Sequence, residues 1–332
     1  MLNKIKFSVV CSVYNSEKYI EECILSVLNN TFSDWEFIIL DDGSTDSTLS
    51  ICKKYSEKHK RIRVYSNKNI GPYNERIIGF TLAKGDYVFN IDADDTFEPN
   101  AFEQLNCLIE KHEPDIIIFN EYRIVEGKKE LLDKHTYKEV VFNDINSTLN
   151  IYFNDYLLMQ GLHRKCFKRD ILRGVDLSQR DSRMFEDGLF SLKLLLNSKS
   201  VLYINDCLYN YRDLNNDSLT KKYFMNIKFD FNIIKEKHIL INNSATISAK
   251  NKQVFNSVLI NILFGRLFYL FQTKNNEAIS YKVVKDFCSD QNVSFVLKSK
   301  TSIKYLKKRF LILILLRMKL YNIVVFILKR KS

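Results

Sequence analysis

The chain has 332 residues, of which 46% are hydrophobic and 13% aromatic, with only 3 prolines and 9 glycines. This composition supports a buried core and excludes a disordered or linker-rich chain. The formal net charge is +11 and is unevenly placed, because no acidic residue follows Asp290. The bases beyond that point account for the whole excess, so the main body is formally neutral. We therefore expect no nucleic-acid partner.

The cysteines and the N-terminus indicate the compartment. There are 7 cysteines, widely spaced and without a CxxC pair, which argues against a disulfide framework or a zinc site and for a reducing environment. Residues 1–7 lead into a strand pattern without the apolar core of a signal peptide. We therefore expect a cytoplasmic protein.

Strand and helix patterns alternate over the first 120 residues. Hydrophobic runs predict strands at residues 7–14, 36–40, 62–66, 86–91 and 116–119. Helical spacing predicts helices at residues 16–30, from the turn at 41–44 to about 58, at 72–83 and at 101–111. Ser16 is the predicted N-cap of the first helix, with Glu17 in its first turn. The alternation predicts an α/β fold with a mostly parallel sheet flanked by helices.

Polar clusters follow three of the predicted strands, at Asn15/Glu17, Asp41/Asp42 and the run Asp92-Ala93-Asp94-Asp95. In parallel sheets, ligands bind beyond the carboxyl ends of the strands, so these clusters predict a shared site. Three carboxylates at the end of an apolar strand favour a bound cation. Their oxygen atoms suit Mg²⁺ or Mn²⁺, which usually arrive with substrate phosphates. The alternative interpretation of the run is an acidic turn.

The rest of the chain is less regular up to residue 220 and mostly helical over residues 221–297. A second acidic pair, Glu186-Asp187, opens a predicted helix. The patterns divide the chain into residues 1–120 and 121–220, which form two halves of one domain, a helical extension over 221–297, and a basic apolar tail over 298–332.

The order of these segments resembles the family 2 glycosyltransferases with a GT-A fold. The resemblance rests on SVVCSVYN at residues 8–15, LDDGSTD at 40–46, Asn69-Ile70-Gly71 with Arg76, Gly85-Asp86-Tyr87 with the acidic run at 92–95, and Phe185-Glu186-Asp187. It covers residues 7–100 and, less closely, 162–218, where the sequence resembles bacterial surface-polysaccharide members. It is absent after about residue 225.

Several positions depart from the family pattern. Ser12 stands where proline is usual, Glu75 and Ile77 flank Arg76 in place of alanine and asparagine, and His163-Arg164 replaces Trp-Asn. The last departure lies on the acceptor side and leaves the acceptor open.

The resemblance implies a role for each matching residue. The implied nucleotide-sugar-binding residues are Ser12, Tyr14, Glu17, Asp41, Asp42, Arg76, Asp92, Ala93 and Asp94. Asp94 would also hold Mn²⁺ or Mg²⁺ on the diphosphate, and Asp187 would be the catalytic base. Weaker acceptor-side candidates are Lys165, Glu186, Tyr211 and Arg212.

Each role has a structural alternative. Asp41 and Asp42 are also ordinary turn residues, with Asp41 the more structural of the two, and Arg76 is also a surface arginine. The Glu186-Asp187 pair would complement a helix dipole, Asp95 would order its loop, and Tyr209 with Tyr211 would be core aromatics.

The implied function is metal-dependent, inverting transfer of a hexose or N-acetylhexosamine from a nucleoside-diphosphate sugar, most simply a UDP-sugar. The acceptor would be a hydroxyl of a growing surface glycan or a lipid-linked saccharide. One alternative is a nucleotidyltransferase on a similar sheet, which favours a glycine-rich basic first loop, whereas residues 12–17 contain no glycine. The other is a non-catalytic membrane-associated partner that retains the pocket, against which the intact Asp94 and Asp187 argue.

The tail contains an apolar run at residues 310–328 that Arg317 and Lys319 interrupt. Its apolar residues favour insertion by about 6 kcal/mol, and the two charges oppose insertion by about as much. Lying on an anionic membrane surface is easier, because long basic side chains reach the interface. We therefore expect a peripheral protein on the inner face of the cell membrane. The alternative is a soluble helical pair that closes over the body or forms a homodimer.

Overall fold

The computed structural model describes residues 5–131, 139–154, 161–178, 186–213, 231–272, 277–302, 306 and 309–329. The chain divides into two compact units. The first unit comprises Met1–Thr148 and Leu157–Lys228, and the second comprises Leu149–Tyr156 and Phe229–Ser332.

The first unit is built on one sheet. Its strands are β1 (Phe7–Val13), β2 (Trp35–Asp41), β3 (Ile62–Ser66), β4 (Tyr87–Asn90), β5 (Thr96–Phe97), β6 (Ile116–Val125), β7 (Lys128–Leu131), β8 (Glu139–Phe142), β9 (Lys165–Lys168) and β10 (Val201–Arg212). Their order is β3-β2-β1-β4-β9-β6-β10-β5, with β7 on β6 and β8 on β10. Neighbours among β1 to β4 run parallel, as do β6 and β10, whereas β9 runs antiparallel to β4 and β6.

Helices of the first unit connect these strands. They are α1 (Ile20–Leu28), α2 (Thr48–Lys58), α3 (Pro72–Leu82), α4 (Ala101–His112), α5 (Ile145–Asn154), whose last residues belong to the second unit, a 3₁₀ helix (Arg169–Gly174) and α6 (Glu186–Asn197). Every residue of β2 is buried, as expected for a strand covered on both faces. The predicted α/β fold with a sheet flanked by helices is therefore confirmed, and its parallel part consists of β1 to β4 and of β6 with β10.

Close packing of α3 on the sheet depends on one glycine. A Cβ atom on Gly79 would lie 2.3 Å from Val10 Cγ1 and 2.8 Å from Leu40 Cδ1. Only a residue without a side chain lets this helix approach β1 and β2 so closely. The approach fixes the height of Arg76, one helical turn earlier, above the carboxyl ends of the strands.

The start of the first helix was predicted wrongly. The helix begins at Ile20 rather than after Ser16, and no side chain caps it. The backbone N–H of Ser16 donates to Thr48 Oγ1 at 2.8 Å, and that of Glu17 donates to Asp46 Oδ2 at 3.2 Å. These bonds tie the segment to Asp46 and to the start of α2, and Glu17 lies in a turn before the helix.

Most other predicted elements of this unit are confirmed within a few residues. The strand predicted at 116–119 is longer and continues to Val125. The helix predicted to open with Glu186-Asp187 is described from Glu186 onwards, and residues 179–185 lie outside the described ranges.

The second unit is helical in the part that the structure describes. Its helices are α7 (Phe231–Asn243), α8 (Ala249–Gln272), α9 (Glu277–Ser289), α10 (Gln291–Leu297), α11 (Arg309–Arg317) and α12 (Tyr321–Lys329). Helix α10 has a side-chain cap, since Asp290 accepts from the N–H groups of Asn292 and Val293. The predicted helical extension over 221–297 is confirmed for residues 231–272 and 277–297, and residues 221–230 and 273–276 lie outside the described ranges.

The apolar run of the tail forms two short helices rather than one long one. Helices α11 and α12 pack on each other, and Lys319, with φ of 58°, lies between them. Among the described residues, no helix combines the length and hydropathy needed to span a bilayer.

Candidate active site

Two loops at the carboxyl ends of β1 and β2 are tied together. Asn15 Oδ1 accepts from the N–H of Thr45 at 2.8 Å, and the N–H of Asn15 donates to Ser44 Oγ at 3.0 Å. Glu17 Oε2 accepts from the N–H of Ser47 at 2.9 Å. Glu17, predicted to bind nucleotide sugar, is thus placed as a brace between the loops.

The residues that lead into the first loop have different exposures. Ser12 lies opposite Leu40 in the parallel register of β1 and β2 and is partly buried. Tyr14 follows the strand and is 47% exposed. An exposed aromatic side chain beside a polar loop can offer its face to a planar ligand.

The acidic pair after β2 is buried. Asp41 Oδ2 accepts from the N–H of Ser44 at 3.3 Å and from Ser66 Oγ at 3.2 Å. Asp42 accepts from the N–H groups of Ile70 and Gly71, at 2.5 and 3.0 Å. Both aspartates therefore order backbone at this edge of the sheet.

Arg76 joins two candidate residues that are far apart in the sequence. Its Nη1 donates to Asp187 Oδ1 at 2.7 Å, and its Nη2 donates to Asp92 Oδ1 at 2.8 Å. The Arg76 side chain is 13% exposed, whereas those of Asp92 and Asp187 are 32% and 37% exposed. Burial opposes its charge, but Asp187 and then Asp92 outweigh burial and raise the pKa of Arg76. The surface-arginine alternative does not describe this placement.

The acidic run after β4 contains carboxyls with unlike environments. Burial disfavours the Asp92 carboxylate, but Arg76 and His163 outweigh burial and lower its pKa. Burial, followed by repulsion from Asp92, raises the pKa of Asp94 to about 6. Burial, followed by Asp94 and Asp92, raises the pKa of Asp95 well above its usual value. Ala93, between the first two carboxyls, is buried.

Asp95 organises the loop. It accepts from Tyr209 Oη and from the N–H of Arg212, both at 2.7 Å. The same tyrosine hydroxyl accepts from the N–H of Asp92 at 3.1 Å. Tyr209 is fully buried. These contacts agree with the structural alternatives for Asp95 and Tyr209.

Arg212 closes one side of the run. Its Nε donates to the carbonyl oxygen of Asp94 at 3.0 Å, and its Nη2 donates to Glu22 Oε2 at 2.5 Å. Its guanidinium also lies 5.2 Å from the ring centre of Tyr19. Arg212, predicted on the acceptor side, therefore contacts the same loop as Asp94.

The remaining acceptor-side candidates differ in accessibility. Lys165 is fully buried, and its ammonium donates to the carbonyl oxygen of Gly161. Tyr211 is partly buried and stacks on the His163 ring at 5.9 Å. His163 also pairs with Glu121 at 3.0 Å. The side chain of Glu186 lies outside the described residues.

The carboxyl groups of the site bear on the predicted metal ion. Within the described ranges, no three His, Cys, Asp or Glu side chains are grouped so as to hold an ion by themselves. Mg²⁺ is often held by one or two carboxylates together with substrate phosphates. Asp94 fits that arrangement as a single protein ligand, because its partly buried carboxyl lies at the end of β4 with Asp92 nearby.

Three features of the site were not predicted from the sequence. They are the contacts of Glu121 with His163 and Arg164, the hydrogen bonds by which Tyr209 joins Asp92 and Asp95, and the pairing of Arg76 with Asp187. The YNYR segment at residues 209–212 gave some signal, because it alternates polar and aromatic residues on a strand. Nothing local indicated Glu121, whose partners lie more than 40 residues away.

Comparisons with known proteins give the family. The sequence profile of glycosyl transferase family 2 matches residues 8–174, half of the chain. The chain is 31% identical over 216 residues to the glycosyltransferase GlyA of Streptococcus pneumoniae. The aligned residues make up 64% of this chain and 31% of GlyA. It is 26% identical over 294 residues to the cholesterol galactosyltransferase of Borreliella burgdorferi, covering 85% of this chain and 79% of that protein. The chain thus spans about a third of the length of GlyA.

Solved structures give the same fold. The crystal structure of Staphylococcus aureus TarS 1-349 in complex with UDP-GlcNAc matches with a TM-score of 0.74 and 22% identity, covering 96% of this chain and 88% of that one. This likeness identifies the fold as GT-A with C-terminal helices.

Proposed function

The chain belongs to glycosyl transferase family 2 and is a glycosyltransferase by family, and we propose that it moves a hexose or N-acetylhexosamine from a UDP-sugar to a hydroxyl of a surface glycan or a lipid-linked saccharide. The observation that carries this proposal is the bridge that Arg76 makes between Asp92 and Asp187. It brings a donor-side carboxylate and a candidate base to one point beyond the carboxyl ends of the strands.

The donor assignment has two supports. Asp42, whose N–H donates to the carbonyl oxygen of Val13 at 2.9 Å, lies where the resemblance to this family implies a nucleoside. The TarS structure of the same fold contains UDP-GlcNAc. A carboxylate can accept hydrogen bonds from a base N–H or from ribose hydroxyls, which suits Asp42 and Asp92 respectively.

Transfer requires a base on the acceptor side. The acceptor oxygen forms a bond to the anomeric carbon while the bond from that carbon to the diphosphate oxygen breaks. The acceptor proton passes to Asp187, whose side chain is 37% exposed and therefore reachable by a substrate hydroxyl. A single in-line displacement inverts the anomeric configuration. Arg76 holds Asp187 in place and can also approach the diphosphate.

Asp94 is the proposed protein ligand of Mn²⁺ or Mg²⁺. The ion would supply positive charge for the leaving nucleoside diphosphate. A ligand carboxyl must be deprotonated, and the pKa of Asp94 at about 6 allows this at neutral pH.

Binding of nucleotides tests the donor half of this proposal. Calorimetry with UDP, GDP and CDP in the presence of Mn²⁺ should show binding of UDP, and Asp94→Asn should weaken it, with Asp34→Asn as the matched exposed control. Equal binding of all three nucleotides, or UDP binding that ignores both Mn²⁺ and Asp94→Asn, would contradict the proposal.

We also propose that the second unit docks on the inner face of the cell membrane. Leu311 and Met318 on and after α11 are 56% and 61% exposed, and Ile323 and Phe326 on α12 are 46% and 56% exposed. The spacing of three residues places Ile323 and Phe326 on one face of α12. Large exposed apolar groups beside bases suit an anionic bilayer.

Charge favours lipid over a second copy of the chain. No acid follows Asp290, so a homodimer through this surface would bring like charges together. A lipid acceptor also occurs in a relative, the cholesterol galactosyltransferase.

Vesicle sedimentation tests the docking surface. The protein should pellet with phosphatidylserine vesicles and less with phosphatidylcholine, and Phe326→Glu should release it. Leu131→Glu changes a residue of the first unit that is 52% exposed and should have no effect. Equal release by both variants, or self-association without vesicle binding, would overturn membrane docking.

A further inference from the structure

A carboxyl that the proposed reaction does not use is buried beneath the nucleoside side of the site. Glu75 lies on α3 and is fully buried. Its Oε2 accepts from Asn67 Nδ2 at 2.8 Å. Its Oε1 is buried and has no hydrogen-bond donor among the described residues. A buried charged oxygen without a donor is costly.

The same short segment holds Asp42. The N–H groups of Ile70 and Gly71 donate to the Asp42 carboxylate, and the carbonyl oxygen of Gly71 accepts from the N–H of Glu75 at 3.1 Å. The negative charge of Asp42 and a hydrogen bond between the two side chains both raise the pKa of Glu75. Two ionised carboxylates cannot hydrogen-bond, because both only accept. One of the two must carry a proton.

The proton belongs on Glu75. Both oxygens of Asp42 already accept backbone N–H groups, so neither has to supply a proton to them. Glu75 accepts from the amide of Asn67 through Oε2, and its Oε1 has no donor among the described residues. The charged groups that act on it most are Asp42 and Asp41, both negative. Burial first, and then these carboxylates, raise the pKa of Glu75 to about 7.

We propose that Glu75 is a positioning residue for the donor: it keeps a proton, donates it to Asp42, and so holds Asp42 in the orientation that receives the nucleoside. This inference rests on the proposed role of Asp42 in donor binding. Loss of the proton would place a second negative charge against Asp42, beside an anionic nucleotide. Donor binding would therefore weaken as the pH rises.

Glu75→Gln tests the proton, because an amide keeps the shape and a donor but does not titrate. The dissociation constant of UDP with Mn²⁺ should rise by about 3- to 10-fold from pH 6.5 to pH 8 in the unmodified protein, as one linked proton allows. In Glu75→Gln the same constant should stay within about two-fold, apart from changes in UDP that both proteins share. Glu57→Gln, on the exposed face of α2, should behave like the unmodified protein.

The melting temperature of the free protein separates the proton from the binding role. Because the folded-state pKa of Glu75 is raised, the folded state binds more protons, and stability should fall as the pH rises from about 5 to about 7. Glu75→Gln should lack this fall, and Glu75→Ala, which also removes the carboxyl, should lack it too.

Each outcome decides a different point. Parallel melting profiles in all proteins would overturn the proton on Glu75. Divergent melting profiles with parallel UDP profiles would overturn its positioning role. Divergent melting profiles with no UDP binding by any protein would instead refute the proposed function, and the positioning role with it.

Discussion

Replacing Arg76 with methionine should destabilise the first unit by about 2–3 kcal/mol. The change removes two charge-assisted hydrogen bonds, at 2.7 and 2.8 Å, each worth about 1.5–3 kcal/mol when well formed. The sum must be discounted, because Asp187 and Asp92 are 37% and 32% exposed and water screens them. The loss also removes from Asp92 the cation that lowers its pKa most.

The penalty should depend on pH in a definite way. Arg76 helps to hold the pKa of Asp92 below its usual value, against the effect of burial. A depressed carboxyl pKa contributes stability that is present above the unfolded value and lost as the pH falls through the folded value. The penalty of Arg76→Met should therefore be constant from about pH 5 to pH 8 and shrink only below about pH 4.

Urea denaturation followed by fluorescence measures this penalty. The chain has 1 tryptophan, and Trp35 lies on β2 with 2% exposure, so its emission reports the first unit. Arg173→Met removes an exposed pair with Asp170, at 3.1 Å and 82% and 60% exposure, and should cost less than about 0.5 kcal/mol. Equal penalties for the two variants would refute the reasoning.

Three further outcomes are expected. Asp187→Asn should slow transfer by about 10²–10⁴-fold and leave UDP affinity within about two-fold, measured by product formation and calorimetry. Mn²⁺-dependent UDP binding should weaken as the pH falls through about 6, because burial and Asp92 raise the pKa of Asp94 and a protonated carboxyl cannot bind metal. Calorimetry at pH 5 and pH 7 checks this, with Asp94→Asn as the insensitive control. Gly79→Ala should lower the free energy of unfolding by about 1–3 kcal/mol, because the added Cβ would lie 2.3 Å from Val10 Cγ1. Gly265→Ala, whose Cβ would meet nothing within 4 Å, should raise it by about 0.5–1 kcal/mol. Thermal denaturation compares the two variants.

The sheet was predictable because hydrophobic runs carry its information locally. Residues 35–41 contain an unbroken apolar stretch, and the structure buries all of them. The first helix was mispredicted because the capping rule reads only neighbouring residues. The N–H groups of Ser16 and Glu17 instead donate hydrogen bonds to the side chains of Thr48 and Asp46, about 30 residues away.

The candidate site was predictable to the level of which strand ends carry it. Its internal contacts were not, because they join distant parts of the chain. Arg76 and Asp187 are separated by 111 positions, and no local pattern selects that partner. Lys165 was chosen for its sequence segment, but the structure buries it against Gly161. A lysine in an apolar strand gives no sign of such a carbonyl partner.

The tail illustrates a limit of hydropathy. Residues 310–328 have enough apolar groups to make a membrane span arguable. The pair of basic residues at 317 and 319 falls where the chain turns, and Lys319 adopts a left-handed conformation there. Two short helices result. Some of their apolar side chains are exposed and others are buried. The hydropathy of the run does not separate these two groups.

Release of the nucleotide from UDP-, GDP-, dTDP- and CMP-sugars, with and without Mn²⁺, is the measurement to make first, with a mixture of lipid-linked saccharides as acceptor. The proposed function predicts turnover of a UDP-sugar that needs the metal and is lost in Asp187→Asn. Turnover that is unchanged in Asp187→Asn, or UDP-sugars that neither turn over nor raise the melting temperature as a ligand of the folded state must, would contradict it.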